Sequence, residues 1–266
     1  MTVSDVFDHW LLFVQTDVTR YVIFAVGFWF LLWVVLAGPL AGRKIRIERP
    51  PARQLMREAM FSVRSVAVFS TVGLITFFLD KAGALPGPYL AAQWGPVWFV
   101  AALVLMIVGH DAWFYWSHRL IHDPRLFRRF HRRHHKSHNP SPFTAYSFDI
   151  GEAAINGLFV PVWLILVPTP WPVVGLFMLH QIVRNTIGHC GYELYPATRA
   201  GTPLCDWMTT VTHHDLHHAQ AGWNYGLYFT FWDRMMRTEH PDYHARFAAS
   251  VRKPGSALPE RPVALD

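Results

Sequence analysis

Residues 96–122 read PVWFVAALVLMIVGHDAWFYWSHRLIH. From Pro96 to Trp116 the only charged side chain is Asp111, and the run then passes directly into two histidines, His118 and His122, four positions apart. A bilayer core of about 30 Å takes roughly 20 apolar residues of helix to cross. The stretch is therefore expected to be a membrane span whose last turns carry a histidine pair on one face. It sets the expectation for the whole chain: a membrane helical bundle with its chemistry at one end.

Four further stretches approach the same length. Tyr21–Leu40 (YVIFAVGFWFLLWVVLAGPL) carries no charge. Phe61–Leu79 is apolar apart from Arg64 and several hydroxyls, and Ala153–Val167 and Val173–Ile187 flank the breaker run PTPWP, which predicts a tight hairpin. The expectation is an all-α protein of four or five membrane segments with a helical, histidine-rich cap. The expected divisions are membrane helices and a basic loop over 1–95, a catalytic region over 96–245, and a disordered tail over 246–266. Composition agrees, since 52% of the 266 residues are hydrophobic and only 16% are charged, against roughly 25% charged in soluble proteins.

The net charge of +6 comes mainly from two arginine-rich clusters, Arg43–Arg57 and Arg119–Lys136, each beside an apolar span. Placed by the positive-inside rule, both clusters are cytoplasmic, the N-terminus is outside, and every histidine group falls on the cytoplasmic side. The arginine-over-lysine bias, with no endoplasmic-reticulum signal, suggests a bacterial inner membrane. The N-terminus, MTVSDVFDHW, lacks the basic start of a secretory signal. Cys190 and Cys205 imply no disulfide framework. The basic and aromatic run RLFRRFHRRHHK could suggest nucleic acid, but its histidines keep metal-ligand spacing, so phospholipid headgroups or an acidic electron donor fit its arginines better.

Sixteen histidines occur. His9, His138, His240 and His244 are expected to be ordinary surface or hydrogen-bonded residues, and His110 and His180 lie within spans. Nine of the rest are grouped, with His213 beside the last group: His118 and His122 in HRLIH; His131, His134 and His135 in HRRHH; His189 four positions after Asn185 in NTIGH; His214, His217 and His218 in HDLHH. The spacings i, i+3 and i+4 predict one helical face for each group. Nine grouped histidines exceed what one ion can use, whereas two ions with four or five ligands each would use them all. An all-imidazole site accepts iron, zinc, copper or nickel. A membrane enzyme with such a site suggests oxygen activation and attack on a lipid C–H bond. The competing readings are a membrane zinc hydrolase acting on lipid amides or esters, and a metal transporter or sensor.

The series HRLIH, HRRHH, NTIGH and HDLHH, with Asn224-Tyr225-Gly226 and Trp232-Asp233-Arg234 downstream, resembles the fatty acid hydroxylase/sterol desaturase superfamily, leaning to its sterol-desaturase-like branch. The resemblance covers roughly residues 95–240. It implies a non-haem di-iron oxygenase that hydroxylates or desaturates a lipid, whether sterol-like, carotenoid or fatty acyl. The implied ligands of two Fe ions are His118, His122, His131, His134, His135, His189, His214, His217 and His218, with zinc an alternative occupant of a purified sample. The implied partners are a lipid substrate, the membrane, and an electron donor such as a ferredoxin or b-type cytochrome. Some members have a histidine where this chain has Asn185. Arg237 stands where many relatives have glycine. A ligating imidazole usually donates its second nitrogen to a carboxylate or carbonyl, so Asn185, His213, Asp215, Asp111, Glu152 and Asp233 are the expected supports. The aromatic run Trp113–Trp116 is a candidate lining for an apolar substrate tunnel.

Overall fold

The computed structural model describes residues 2–85 and 87–251. It is helical throughout, with no strand beyond isolated bridges among the described residues. Helix α1 spans Val3–Val35 and starts at Thr2, whose hydroxyl accepts from the Asp5 N–H while the Asp5 carboxylate accepts from the Thr2 N–H. This reciprocal cap satisfies two donors that a helix start leaves open. The helix begins well before the expected Tyr21 and stops before Leu40, where Gly38-Pro39 breaks it into turns. At 1.5 Å per residue it is about 50 Å long, longer than a bilayer core.

Helix α2 covers Ala52–Lys81 and α3 covers Gly95–Ile121. With α1, these are the helices long and apolar enough to cross a membrane. Helix α4 is short, Pro124–Phe130, and lies across the end of α3. Helices α5 (Ile150–Leu166) and α6 (Trp171–Gly188) form the expected hairpin around Pro168 and Pro170, at about 25–27 Å each. Helix α7 is Val211–Ala219, α8 is Phe231–Met235 and α9 is Tyr243–Val251.

Antiparallel packing of α1 and α2 is set by pairs along their length. His9 lies on Phe77, Phe13 fits against Gly73, and Ser70 donates to Asp17 at 3.1 Å. A Cβ on Gly109 of α3 would lie 2.3 Å from the Trp163 ring of α5, so only glycine permits that approach. Outward-facing side chains such as Ile23, Phe30, Val34 and Val104 are exposed and apolar, as a lipid-facing surface requires.

The chain direction brings one end of every long helix together. The end of α1 is pinned by the Trp33 indole donating to the Cys190 carbonyl, and the start of α2 by Gln54 donating to the Asn139 carbonyl. The basic loop between them docks there as well, with Arg43 donating to the carbonyls of Glu193 and Tyr195. The ends of α3 and α6 and the start of α5 meet the same cap. Leu216, Tyr243 and Phe247 pack α9 onto α7. Residues 246–251, expected in a disordered tail, are therefore helical and packed; 252–266 lie outside the described residues.

Candidate metal centre

Helix α3 ends one turn after His118, so His118 and His122 project from its last turns. Asp123 then accepts from the Arg125 N–H and Pro124 opens α4, which reverses the chain and returns His131 toward α3. HRRHH, expected on one face of an α-helix, forms a turn followed by a short 3-10 segment, His134–Lys136. His189 caps α6. Helix α7 starts at Thr210, whose hydroxyl accepts from the His213 N–H, and carries His214, His217 and His218.

The nine grouped histidines converge as two adjacent clusters. His118, His122, His131, His135 and His217 form one; His134, His189, His214 and His218 form the other; within each, one ring nitrogen from every histidine lies within 4.8 Å of the others. HRLIH stays whole in the first cluster, whereas HRRHH and HDLHH are each split between the two. His131 and His135 go to the five-histidine cluster and His134 to the other, while His214 and His218 go to the four-histidine cluster and His217 crosses over. His131 stacks on His134 at 5.1 Å between ring centres, so the clusters share a wall.

The spacing within each cluster fits coordination. Nε2 atoms lie 2.9 Å apart in His118–His131 and 3.3 Å apart in His118–His122 and His122–His135. In the second cluster the separations are 2.9 Å for His189–His214 and 3.4 Å for His134–His189. Nitrogens about 2.1 Å from one ion stand about 3.0 Å apart at right angles and about 3.4 Å at the tetrahedral angle. Nε2 of His217 and both ring nitrogens of His218 are buried with no hydrogen-bond partner among the described residues. A donor set of buried, neutral, partly orphaned imidazoles at these separations suits a pair of divalent cations.

Burial keeps the set neutral. It holds His131, His134, His135, His214, His217 and His218 well below the ordinary imidazole value, and each neighbouring imidazole pushes the same way. His189 is lowered to about 4 and His122 to about 2 by burial. A neutral ring offers a lone pair to a cation, which an imidazolium does not.

The second nitrogen of several rings is held mostly by backbone. Nδ1 of His118 bonds the Tyr225 carbonyl at 2.8 Å, that of His189 the Asn185 carbonyl at 2.8 Å, and that of His217 the Trp223 carbonyl at 2.7 Å. Nδ1 of His134 faces the Ser147 carbonyl at 3.3 Å. Glu152 is the carboxylate beside these rings: Oε1 lies 2.8 Å from Nδ1 of His131 with both side chains buried, a close contact whose angle falls short of a hydrogen bond. Asn185 contributes its backbone carbonyl, while its side-chain amide donates to the Ala145 carbonyl.

The remaining expected supports sit elsewhere. Asp215 faces the basic loop and pairs with Arg46 at 2.8 Å. Asp111 accepts from the N–H groups of Tyr228 and Phe229. Asp233 accepts from the N–H groups of Tyr225 and Gly226 and from the Thr238 hydroxyl, so it shapes the loop whose Tyr225 carbonyl holds His118. Burial raises Asp233 to about 6. His213 packs edge-on against Tyr243 and lies 3.7 Å from Asp233, outside both clusters. Arg237 adopts φ 56°, the left-handed region glycine favours, and Asn224 does the same at φ 58°. The carbonyls of Tyr225, Trp223 and Ser147 carried no side-chain signal in the sequence.

A helical membrane bundle capped by two buried all-histidine clusters defines the class of protein. The chain belongs to the fatty acid hydroxylase family, whose sequence model matches residues 103–238, more than half of the chain. Among curated proteins it is similar to human lathosterol oxidase, 27% identical over 68% of this chain and 60% of that protein. It is also similar to a Delta(7)-sterol 5(6)-desaturase of Gibberella zeae, 31% identical over 71% of this chain and 58% of that protein. A rice very-long-chain aldehyde decarbonylase is 30% identical over 62% of this chain and 28% of that protein. The chain spans about 60% of the length of the first of these relatives. No solved structure matches it.

Proposed function

We propose that the protein is a membrane di-iron oxygenase that hydroxylates or desaturates a lipid. The observation that carries this reading is the division of nine buried imidazoles into clusters of five and four at coordination spacing. The names of its relatives support it, since they describe an oxidase, a desaturase and a decarbonylase of lipids. When bound, an iron pair supplies the reduction of dioxygen and the oxidising power to break an unactivated C–H bond. In hydroxylation, the C–H becomes C–OH while O2, an electron pair and two protons are consumed and one water is released.

This chain's residues do the rest. His118, His131, His134, His189 and His217 are oriented through Nδ1 by Tyr225, Glu152, Ser147, Asn185 and Trp223, so that each Nε2 faces its cluster. Burial excludes water that would protonate the rings. Exposed Arg125, Arg128, Arg129 and Arg132 sit beside the cap on α4 and the turn after it, a surface suited to an acidic electron donor such as a ferredoxin or a small b-type cytochrome. With the basic loop docked on the same end, the positive-inside rule puts the cap on the cytoplasmic side.

Alanine at His131 or His217 is expected to abolish iron loading of the five-histidine cluster and all lipid product, read by metal analysis and by lipid profiling of cells with and without the intact protein. Assay under strict anaerobiosis separates this reading from a zinc hydrolase. Product formed without oxygen, or turnover surviving either substitution, refutes it.

A further inference from the structure

A cavity of about 490 Å³ lies inside the bundle among α1, α2, α5 and α6, with His110 of α3 on its wall. This is a normal size for a small-molecule site. The expected tunnel lining, Trp113–Trp116, does not form it; its walls are chiefly Phe13, Phe77, Phe159, Val174, Phe177 and Met178. Two amide side chains, Asn156 and Gln181, also line the cavity; both are half-buried, and no hydrogen bond joins either to the described residues. Amide groups without partners are costly in an apolar interior and are kept where something else completes them. The Nε of Arg20, on the same wall, is also buried without a partner.

The amides stand at the histidine end. Asn156 is four residues along α5 from Glu152, which touches His131, a rise of about 6 Å. Gln181 precedes His189 by eight residues, about 12 Å, whereas Trp171 at the far end of the cavity is about 27 Å away. The charge of the lining also discriminates. Arg20 is neutralised by its ion pair with Asp17, and Asp80 adds a carboxylate at the far end. An anionic headgroup therefore finds no free cation there. A groove between α1 and α6 shares Thr16, Arg20, Val174 and Met178 with the cavity and opens past exposed Leu12 and Ile23 toward the lipid-facing side.

We infer that the cavity binds a neutral lipid carrying a hydroxyl or carbonyl group, which enters between α1 and α6 and is held by Asn156 and Gln181 with its polar end toward the histidine clusters. The binding stands on the cavity alone. Its chemical consequence rests on the oxygenase reading: the C–H bond attacked lies near the polar group and not at the far end of the lipid.

The test is equilibrium binding of radiolabelled octadecan-1-ol, cholesterol, octadecane and octadecanoate to the purified full chain in nanodiscs, with metal content measured on the same samples. At least one of the two alcohols is expected to bind saturably, one per chain, without competition from octadecane or octadecanoate. Asn156→Leu with Gln181→Leu is expected to weaken that binding about ten-fold, the worth of one to two hydrogen bonds, with metal content unchanged. Gly175→Trp fills the groove from a position with open space around it and is expected to slow association. Octadecane or octadecanoate binding as well as both alcohols overturns the inference. So does an unchanged alcohol affinity in a double variant that keeps its metals. If the wild-type chain holds no metal yet binds the alcohol in an amide-dependent way, the oxygenase reading fails and this one stands.

Discussion

Glu152 provides the sharpest test of how the two clusters are divided. Its carboxylate lies 2.8 Å from Nδ1 of His131, with 3% and 1% side-chain exposure respectively, and its second oxygen has no hydrogen-bond partner among the described residues. Burial raises the Glu152 carboxyl well above its ordinary range, and a cation held by His131 would favour its charged form, so Glu152→Gln keeps an accepting oxygen beside Nδ1 but removes the charge present in the metal-loaded protein. A hydrogen bond to a charged group contributes about 1.5–3 kcal/mol and a neutral one about 1, so the loss is roughly 0.5–2 kcal/mol, or about two- to thirty-fold in metal affinity. Glu152→Ala removes the acceptor and leaves His131 free to turn, which places it near the upper end of the 10- to 100-fold range for such supports. Because His131 belongs to the five-histidine cluster, one of the two metals should weaken and the other should not. Competition with a graded series of chelators, followed by metal counting, reads this directly. Equal weakening of both metals would refute the division into clusters. An alanine variant that binds both as tightly as wild type would refute the role of Glu152.

Two further outcomes follow from the same geometry. His213→Gln is expected to retain both metals, whereas His214→Ala loses the metal of the four-histidine cluster; loss of metal from the His213 variant would place that ring at the site. The metal-free protein is expected to be acid-sensitive. Its folded imidazoles are held below 6.5 by burial, and the unfolded chain titrates near 6.5, so below that pH the unfolded state binds more protons. The stability these rings contribute is present above about pH 6.5 and is lost as pH falls. At pH 5.5 each ring kept neutral costs on the order of 1 kcal/mol, and several together rival the ~5–15 kcal/mol of a whole fold. Melting temperatures of metal-free protein between pH 7.5 and 5.5 should fall steeply; a flat profile would show the rings to be solvated.

The sequence alone determined what depends on short range. Apolar runs set the helices because a backbone in lipid must satisfy its own hydrogen bonds, and PTPWP placed the α5–α6 hairpin because Pro168 has no N–H to extend α5 while Pro172 suits the first turn of α6. The ligand-type spacing of HRLIH, HRRHH and HDLHH was legible for the same reason, and so was the total of nine imidazoles. Helix ends were less legible: α1 runs from Val3 because the Thr2–Asp5 cap and amphipathic packing on α2 extend it beyond its most apolar stretch. Only the tertiary structure decided how the nine divide. Local spacing put His131, His134 and His135 on one face, yet the turn after α4 sends His134 to meet His189 and leaves His131 and His135 with the end of α3. Likewise, carboxylates near a histidine in sequence looked like equal supports, but Asp215 faces Arg46 while Glu152, from a different helix, reaches His131. The backbone carbonyls that orient four of these nine rings have no side-chain signature, because every residue has one. Within residues 212–219 (THHDLHHA), four imidazoles of one short helix separate into two clusters and a bystander, His213, since a helix turns each by about 100° and the partners awaiting them come from distant parts of the chain.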